Sequence, residues 1–291
     1  MQNGLRTKWM DCPVESRYDL AKHSTIGCGG WTNIAYFPRS IEEAADLIQY
    51  LTVAGQEFYA VGNMSNVLPS DGQSKRVFVC MKGIKEVRLN ENFFGAGLTS
   101  GELLRLCVDK KLGGLEFLQG IPTTLGGALF MNAGVENVHI GDLVQDVLIY
   151  DGKSMRRLPK EECDYAYKHS VFMQNGWTIL GAYLRLEQCS ATGIEERLQY
   201  YTQRRGHLPK GKSMGCVFKN PDGVSAGKLI EGAGLKGLRI GGAVVSDIHA
   251  NFILNDKGAT SQQIKTLIGI IKNAVFAQYR IKLEEEIRYL E

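Results

Sequence analysis

The chain has 291 residues, with 34 Lys+Arg against 31 Asp+Glu for a formal net charge of +3, and 44% of it is hydrophobic. That composition suits one large globular domain or two ordinary ones and excludes a disordered tail. A charge of +3 over this length gives no reason to expect a nucleic-acid or membrane-surface partner. Glycine is the unusual residue, 34 of 291 or about 12%, against a usual ~7%. With no collagen period, glycines belong where backbone turns tightly or approaches something closely. The seven cysteines are odd in number, scattered and without a CxxC pair. Neither a disulfide framework nor a zinc site is expected, and no catalytic metal. The N-terminal MQNGLRTKWMDCPVESRYD lacks an apolar signal core, and the uncharged run Phe117 to Val135 holds four glycines and a proline. Both argue against secretion or a membrane span, so a cytoplasmic location is expected.

Taken in chain order, apolar residues recur at helical spacing through Ile41, Ala44, Ala45, Ile48 and Leu51, predicting a helix from Ser40 closed by Gly55. EFYAV reads as a strand, GNMSNVLPSDG as a long loop, and RVFVCM as a strand with Val77, Val79 and Met81 on one face. NENFFGAG leads by a strand into a helix over SGELLRLCVDKKL, with Ser100 as its N-cap. After a glycine-rich stretch, DLVQDVLIYDG and SMRRL read as strands around an Asp-Gly turn. WTILGAYLRLEQ is a further strand, and GIEERLQYYTQRRGHL a helix ending at Gly206. RRGHLPKGKS is the linker candidate. Beyond it AGKLIEGAGL, AVVS, HANFILND, the helix SQQIKTLIGIIKNAVFAQY and the strand IKLEEEIRYL predict a second α/β unit. The alternation of short strands and helices argues for α+β or α/β architecture.

Several glycine patterns invite a nucleotide reading. Gly232-Ala-Gly-Leu-Lys-Gly237 matches GxGxxG, but it follows a predicted helix where the fingerprint needs a strand. The loop Val61 to Leu68 is more informative, because a strand enters it and small residues expose successive N–H groups suited to an anion. A second loop, Gly120 to Gly134, runs into a short helix at Leu125–Asn132, with Thr123 and Thr124 at an N-terminal end where free N–H groups favour an anion. Gly126 and Gly127 there admit a flat ligand or another backbone. Two such loops can hold the halves of one large dinucleotide cofactor.

The ordered segments STIGCGGWTNIAYFPRSIEEA, GNMSNVLPSDG, LEFLQGIPTTLGGALFMNAG, DYAYKHSVF, GCVFKNP, AGKLIEGAGLKG, SDIHANFILN and LEEEIRYL resemble the UDP-N-acetylenolpyruvoylglucosamine reductase (MurB) family, in its shorter type II form. The resemblance covers roughly residues 20 to 290. It implies an α+β fold, with a vanillyl-alcohol-oxidase/PCMH-type FAD-binding domain over residues 1–205 (subdomains about 20–85 and 86–205). A C-terminal α/β substrate-binding domain over 206–291 follows. It implies NADPH as reductant, FAD as cofactor, and UDP-N-acetylglucosamine enolpyruvate as the substrate reduced to UDP-N-acetylmuramate in peptidoglycan precursor synthesis. A monomer is favoured. Another flavin oxidoreductase of the same fold, or a catalytically retired flavin or nucleotide-sugar binder, are the alternatives.

The resemblance also implies residue roles. FAD falls to Gly62, Asn63, Met64, Ser65, Asn66 and Val67 in the first loop, and to Gly120, Ile121, Pro122, Thr123, Thr124, Gly126, Gly127, Asn132, Ala133 and Gly134 in the second. Cys216 takes the place of the family's proton-donating serine in GCVFKNP. A thiol, ordinarily titrating near pH ~8.5, is mostly protonated at neutral pH and a stronger acid than an alcohol. Lys168 replaces the family arginine beside the substrate carboxylate, keeping the charge but not the two-pronged grip. Glu286 aligns with the family's catalytic glutamate, with Glu285 in place of the usual proline, and strand alternation would put Glu284 and Glu286 on one face. Tyr167, Lys219, Asn220, Ser246, His249 and Asn251 are the implied substrate contacts. Asn63-Met64 and Thr123 stand where the family commonly has glycines.

Overall fold

A computed structural model describes residues 8–221 and 223–291. The expected helix is Ile41–Val53: Ser40 Oγ accepts the Glu43 N–H, and Ile41, Ala44, Ala45, Ile48 and Leu51 are all buried. It connects parallel strands. Ala35 and Tyr36 of Trp31–Tyr36 pair with Phe78 and Val79, while Phe58–Val61 pairs along the other side of Val77–Cys80. Val77–Cys80 therefore sits inside its sheet, and all four residues are buried rather than one face only.

The helices and strands divide into two compact units. The first contains described residues up to Ser16, Ile34–Asn63 and Arg76–Gly206. Besides the parallel sheet it has an antiparallel one, with Met155–Pro159, Val144–Tyr150, Thr178–Leu184, Phe93–Gly95 and Val87–Arg88 side by side. Thr178–Leu184 is central, and all seven of its residues are buried. Phe94, Leu103, Leu104, Leu125, Leu129, Val147 and Ile179 belong to the core of this layer. The helix Ser100–Lys110 is capped by Thr99, not by Ser100 as expected. Thr99 Oγ1 accepts from Glu102 N at 3.3 Å and Glu102 Oε2 accepts from Thr99 N at 2.9 Å, a reciprocal pair that needs a Glu or Gln three residues after the cap. Ser100 Oγ donates instead to the Ile121 carbonyl.

The second unit is assembled from Arg17–Asn33, Met64–Lys75 and His207–Glu291. Two pieces expected within the FAD-binding region, Arg17–Asn33 and Met64–Lys75, thus cluster with the C-terminal segment, because long-range pairing recruits them. Asn255 Nδ2 donates to the Ile26 and Gly27 carbonyls, both at 2.9 Å, and Thr25 Oγ1 donates to Ser213 O at 2.7 Å. An antiparallel sheet runs in the order Ser213–Cys216, Phe252–Asn255, Ala243–Val245, Arg239–Ile240. Ala226–Gly232 and Ser261–Tyr279 are this unit's helices, and Ile26, Leu68, Val217, Phe218, Ile230, Ile264 and Ile268 share its core.

Two expectations change in this unit. Val67–Pro69, expected as loop, is a strand in parallel register with Arg288–Leu290. The expected strand IKLEEEIRYL shrinks to Arg288–Leu290, with Glu285 forming an isolated bridge to Phe218. No helix among the described residues is long and apolar enough to cross a membrane, and no disulfide joins the seven cysteines.

Candidate active site

In the first unit, the strand Phe58–Val61 delivers Gly62 and Asn63 to the second glycine-rich loop. Asn63 Nδ2 donates to Pro122 O at 2.8 Å, and Lys82 Nζ donates to Asn63 Oδ1 at 3.3 Å. A Cβ on Gly62 would lie 2.2 Å from Thr124 Oγ1, so the close approach itself demands glycine. The two predicted cofactor loops are thereby joined. Nothing in the sequence around Lys82 marked it as the partner of Asn63.

The second loop does not offer the free N–H groups expected of it. Leu125 N donates to Leu98 O and Gly126 N to Ala96 O, both at 2.8 Å, and Gly127 N to Thr124 Oγ1 at 3.3 Å. The helix is Leu125–Met131, and its N-terminal donors are consumed by protein carbonyls and the Thr124 cap. A Cβ at Gly126 would stand 3.1 Å from Ala96 Cβ, so this glycine accommodates neighbouring protein rather than a flat ligand. Thr123 Oγ1 donates to Thr124 O at 3.0 Å, and both threonines are buried.

The first loop keeps its donors. Among the described residues, the half-buried N–H groups of Asn63 and Ser65 donate to no protein acceptor, and Met64 between them adopts φ +46°. Successive backbone donors around a left-handed residue are the kind of group that takes an anion, so the donor chemistry here fits a pyrophosphate.

Asn132, an expected cofactor contact, has its side chain engaged within the protein. Its side chain is buried and committed to backbone, with Oδ1 accepting from Gly141 N at 3.0 Å and Nδ2 donating to Ala166 O at 2.8 Å. Through that amide it anchors a tight hairpin, in which Ala166 and His169 exchange both backbone hydrogen bonds at 3.3 and 3.1 Å. Tyr167 and Lys168 form the hairpin tip. Tyr167 is exposed, and Lys168 is half-buried at φ +53°, a conformation a lysine adopts only when its surroundings impose it. Ser170 Oγ donates to Phe130 O at 2.6 Å and fixes the hairpin's return.

In the second unit, half-buried Cys216 ends the strand Ser213–Cys216 and pairs with Phe252. The following residues are held from both sides. Val217 N donates to Asn251 O and Glu286 N donates to Val217 O, each at 2.8 Å. Cys216 and Glu286 are thus brought onto neighbouring backbone, and Asn66 Nδ2 holds Glu286 O at 3.0 Å. The three glutamates separate by partner, not by strand alternation. Glu284 pairs with Lys219, and Glu285 accepts from Lys272 Nζ at 2.7 Å and from the Tyr289 hydroxyl. Tyr289 is pushed to a higher pKa by burial and by that carboxylate.

Two expected substrate contacts have side chains engaged within the protein. Asn251 and Ser246 are each 2% exposed. Asn251 spends its amide on the Phe218 peptide, and Ser246 Oγ accepts from Ile248 N and His249 N at 3.1 and 3.3 Å. Asn220 Oδ1 caps Ala226 N at 3.0 Å. His249 is held below its ordinary pKa first by burial, then by the charges of His207 and Lys236, and its Nδ1 accepts from Asn251 N at 3.3 Å. No group of three or more His, Cys, Asp or Glu side chains among the described residues is placed to hold a metal.

Residues 207–290 match the profile of the UDP-N-acetylenolpyruvoylglucosamine reductase C-terminal domain, and residues 32–154 match an FAD-binding domain. The chain is 35% identical over 274 residues to the UDP-N-acetylenolpyruvoylglucosamine reductase of Geobacter metallireducens, covering 92% of this chain and 91% of that one. Identity to the Moorella thermoacetica enzyme of that name is 37% over 293 residues, covering 99% and 95%. The chain belongs to the UDP-N-acetylenolpyruvoylglucosamine reductase family.

The crystal structure of a UDP-N-acetylenolpyruvylglucosamine reductase from Thermus caldophilus superposes with a TM-score of 0.83 at 30% identity, over 96% of this chain and all of that one. An α+β fold with an FAD-binding domain and the reductase family's C-terminal domain is therefore established.

Proposed function

We propose that this protein reduces UDP-N-acetylglucosamine enolpyruvate to UDP-N-acetylmuramate in peptidoglycan precursor synthesis, with FAD as cofactor and NADPH as reductant, in the cytoplasm. Membership of the reductase family along nearly the whole chain carries this reading. Bound FAD supplies a two-electron carrier that accepts hydride from NADPH and delivers it to the substrate's vinyl group. The first-loop residues 62–67 would receive its pyrophosphate, with the Asn63 and Ser65 amides as donors. The second loop shapes the site through Gly120, Ile121, Pro122 and the backbone of Ala133 and Gly134.

The chain's own residues then deal with charge and protons. Reduction at the methylene carbon leaves negative charge on the adjacent carbon and, by conjugation, on the carboxylate. The Lys168 ammonium opposes that charge. The Cys216 thiol gives its proton to the adjacent carbon, which completes the saturated lactyl ether and leaves a thiolate to be reprotonated from solvent. Glu286, on backbone next to Val217, orients the donor. Tyr167, Lys219, Asn220 and His249 serve the UDP-sugar.

The test is stopped-flow absorbance of the flavin: reduction by NADPH, then addition of the enolpyruvyl substrate under anaerobic conditions. Substrate-driven reoxidation is expected. Reduced enzyme that reoxidises only with oxygen would make the protein another flavin oxidoreductase, and a flavin that NADPH cannot reduce would make it a binder.

A further inference from the structure

The strand carrying Cys216 is irregular just before the thiol. Gly215 has φ +76°, and the register with the neighbouring strand slips between Ser213 and Cys216. The direction of the thiol therefore depends also on how the residues after it are held. Downstream the hold is tight: Glu286 N donates to Val217 O at 2.8 Å on one side, and Asn251 grips the other. Asn251 Oδ1 accepts from Phe218 N at 2.9 Å, Asn251 Nδ2 donates to Phe218 O at 2.8 Å, and Asn251 O accepts from Val217 N at 2.8 Å. The amide behaves as an extra strand residue, satisfying the backbone N–H and C=O of one buried residue, Phe218. Asn251 directly precedes Phe252, the pairing partner of Cys216, so the same residue grips the thiol's backbone from two directions.

On these grounds we infer that Asn251 is a positioning residue for the Cys216 thiol. The inference rests on the reading of Cys216 as proton donor. The ionisable residues flanking the clamp in this unit are His249, whose Nδ1 accepts from Asn251 N, the Lys219–Glu284 pair, Glu286, and Glu285, which bridges Phe218 and is held by Lys272 and Tyr289. Removing the amide leaves Phe218 N–H and C=O without partners and lets Cys216 shift. A displacement on the order of 1 Å can cost ~100-fold in a step that depends on alignment.

The experiment measures both half-reactions of the FAD-loaded enzyme for Asn251→Leu, Asn251→Asp, Cys216→Ala and the double variant Asn251→Leu/Cys216→Ala. Asn251→Leu should leave flavin reduction by NADPH within about twofold and slow substrate-driven reoxidation by about 10- to 100-fold. Adding it to Cys216→Ala should cost nothing further, since two residues acting as one unit are not additive. Asn251→Asp keeps the shape, accepts from Phe218 N and donates to Phe218 O only when protonated. Its reoxidation rate should therefore recover as pH falls through the carboxyl titration, a limb the wild type lacks. Equal slowing of both half-reactions, additive losses in the double variant, or an Asp variant without that limb would overturn the inference. A wild-type enzyme that substrate fails to reoxidise, or a Cys216→Ala variant as fast as wild type, would instead refute the functional reading on which it stands.

Discussion

Gly62 and Thr124 allow the union of the two cofactor loops to be tested by a single methyl group. An alanine Cβ at 62 would stand 2.2 Å from Thr124 Oγ1 and 3.3 Å from its Cβ and Cγ2. Relief requires Thr124 to turn about χ1 until its hydrogen faces the new methyl. That turn withdraws Oγ1 from Gly127 N, the cap of Leu125–Met131, worth about 1 kcal/mol. Residual crowding brings the total to about 1–3 kcal/mol, or a few degrees of melting temperature. Thr124→Ala loses the cap alone, about 1 kcal/mol. In Gly62→Ala/Thr124→Ala the cap is lost once and the clashing oxygen is gone, so the double variant should melt close to Thr124→Ala. The coupling should be about 1 kcal/mol or more. Circular-dichroism melts of the four proteins measure it, and flavin-fluorescence titration should show weaker FAD uptake by Gly62→Ala, because the neighbouring Asn63 carries the bond to Pro122. Additive losses, or a Gly62→Ala protein matching wild type in both assays, would show that this close approach does not hold the loops.

Three further outcomes are expected. Cys216→Ala should leave reduction by NADPH intact while slowing substrate-driven reoxidation about 100-fold or more, and Cys216→Ser should stay within about tenfold of wild type; an alanine variant at full speed removes the thiol from proton delivery. Lys168→Ala should lower kcat/KM for the enolpyruvyl substrate by about 10- to 1,000-fold, while Lys168→Arg retains or raises it, read by steady-state NADPH oxidation; an unaffected alanine variant takes Lys168 out of the site. Burial alone would raise the Glu102 pKa, but Lys85 and the Thr99 cap outweigh it and lower the pKa from 4.5 to about 2. Its stabilisation is therefore present above pH ~4.5 and lost as pH falls toward 2, so the melting gap between wild type and Glu102→Gln should be about 1 kcal/mol at neutral pH and close in acid; a gap constant with pH would contradict this.

What was legible in the sequence was what local pattern encodes. Ser261–Tyr279 and Ile41–Val53 announce themselves by apolar spacing, and their burial follows it. The Thr99 cap was also readable, since Glu102 stands three residues beyond Thr99 and not beyond Ser100. Val67–Pro69 was not: a three-residue strand whose partner, Arg288–Leu290, lies more than 200 positions away has no local signature. The donors at the start of Leu125–Met131 looked free because their acceptors, Ala96 and Leu98, belong to another segment. Asn132, Ser246 and Asn251 show the same limit from the polar side. A motif can mark them as indispensable, but whether an amide grips a ligand or a neighbouring peptide is decided only once the chain has folded.

The composition of the second unit also dictates when it can form. Its N-terminal pieces leave the ribosome early, yet Val67–Pro69 pairs with Arg288–Leu290, and Ile26 shares a core with Ile264 and Ile268. Closing contacts across such spans is slow, and this pairing cannot form until Arg288–Leu290 has been synthesised. A chain cut before Arg288 would lack the strand partner of Val67–Pro69 and leave apolar surface for chaperones or proteases to find.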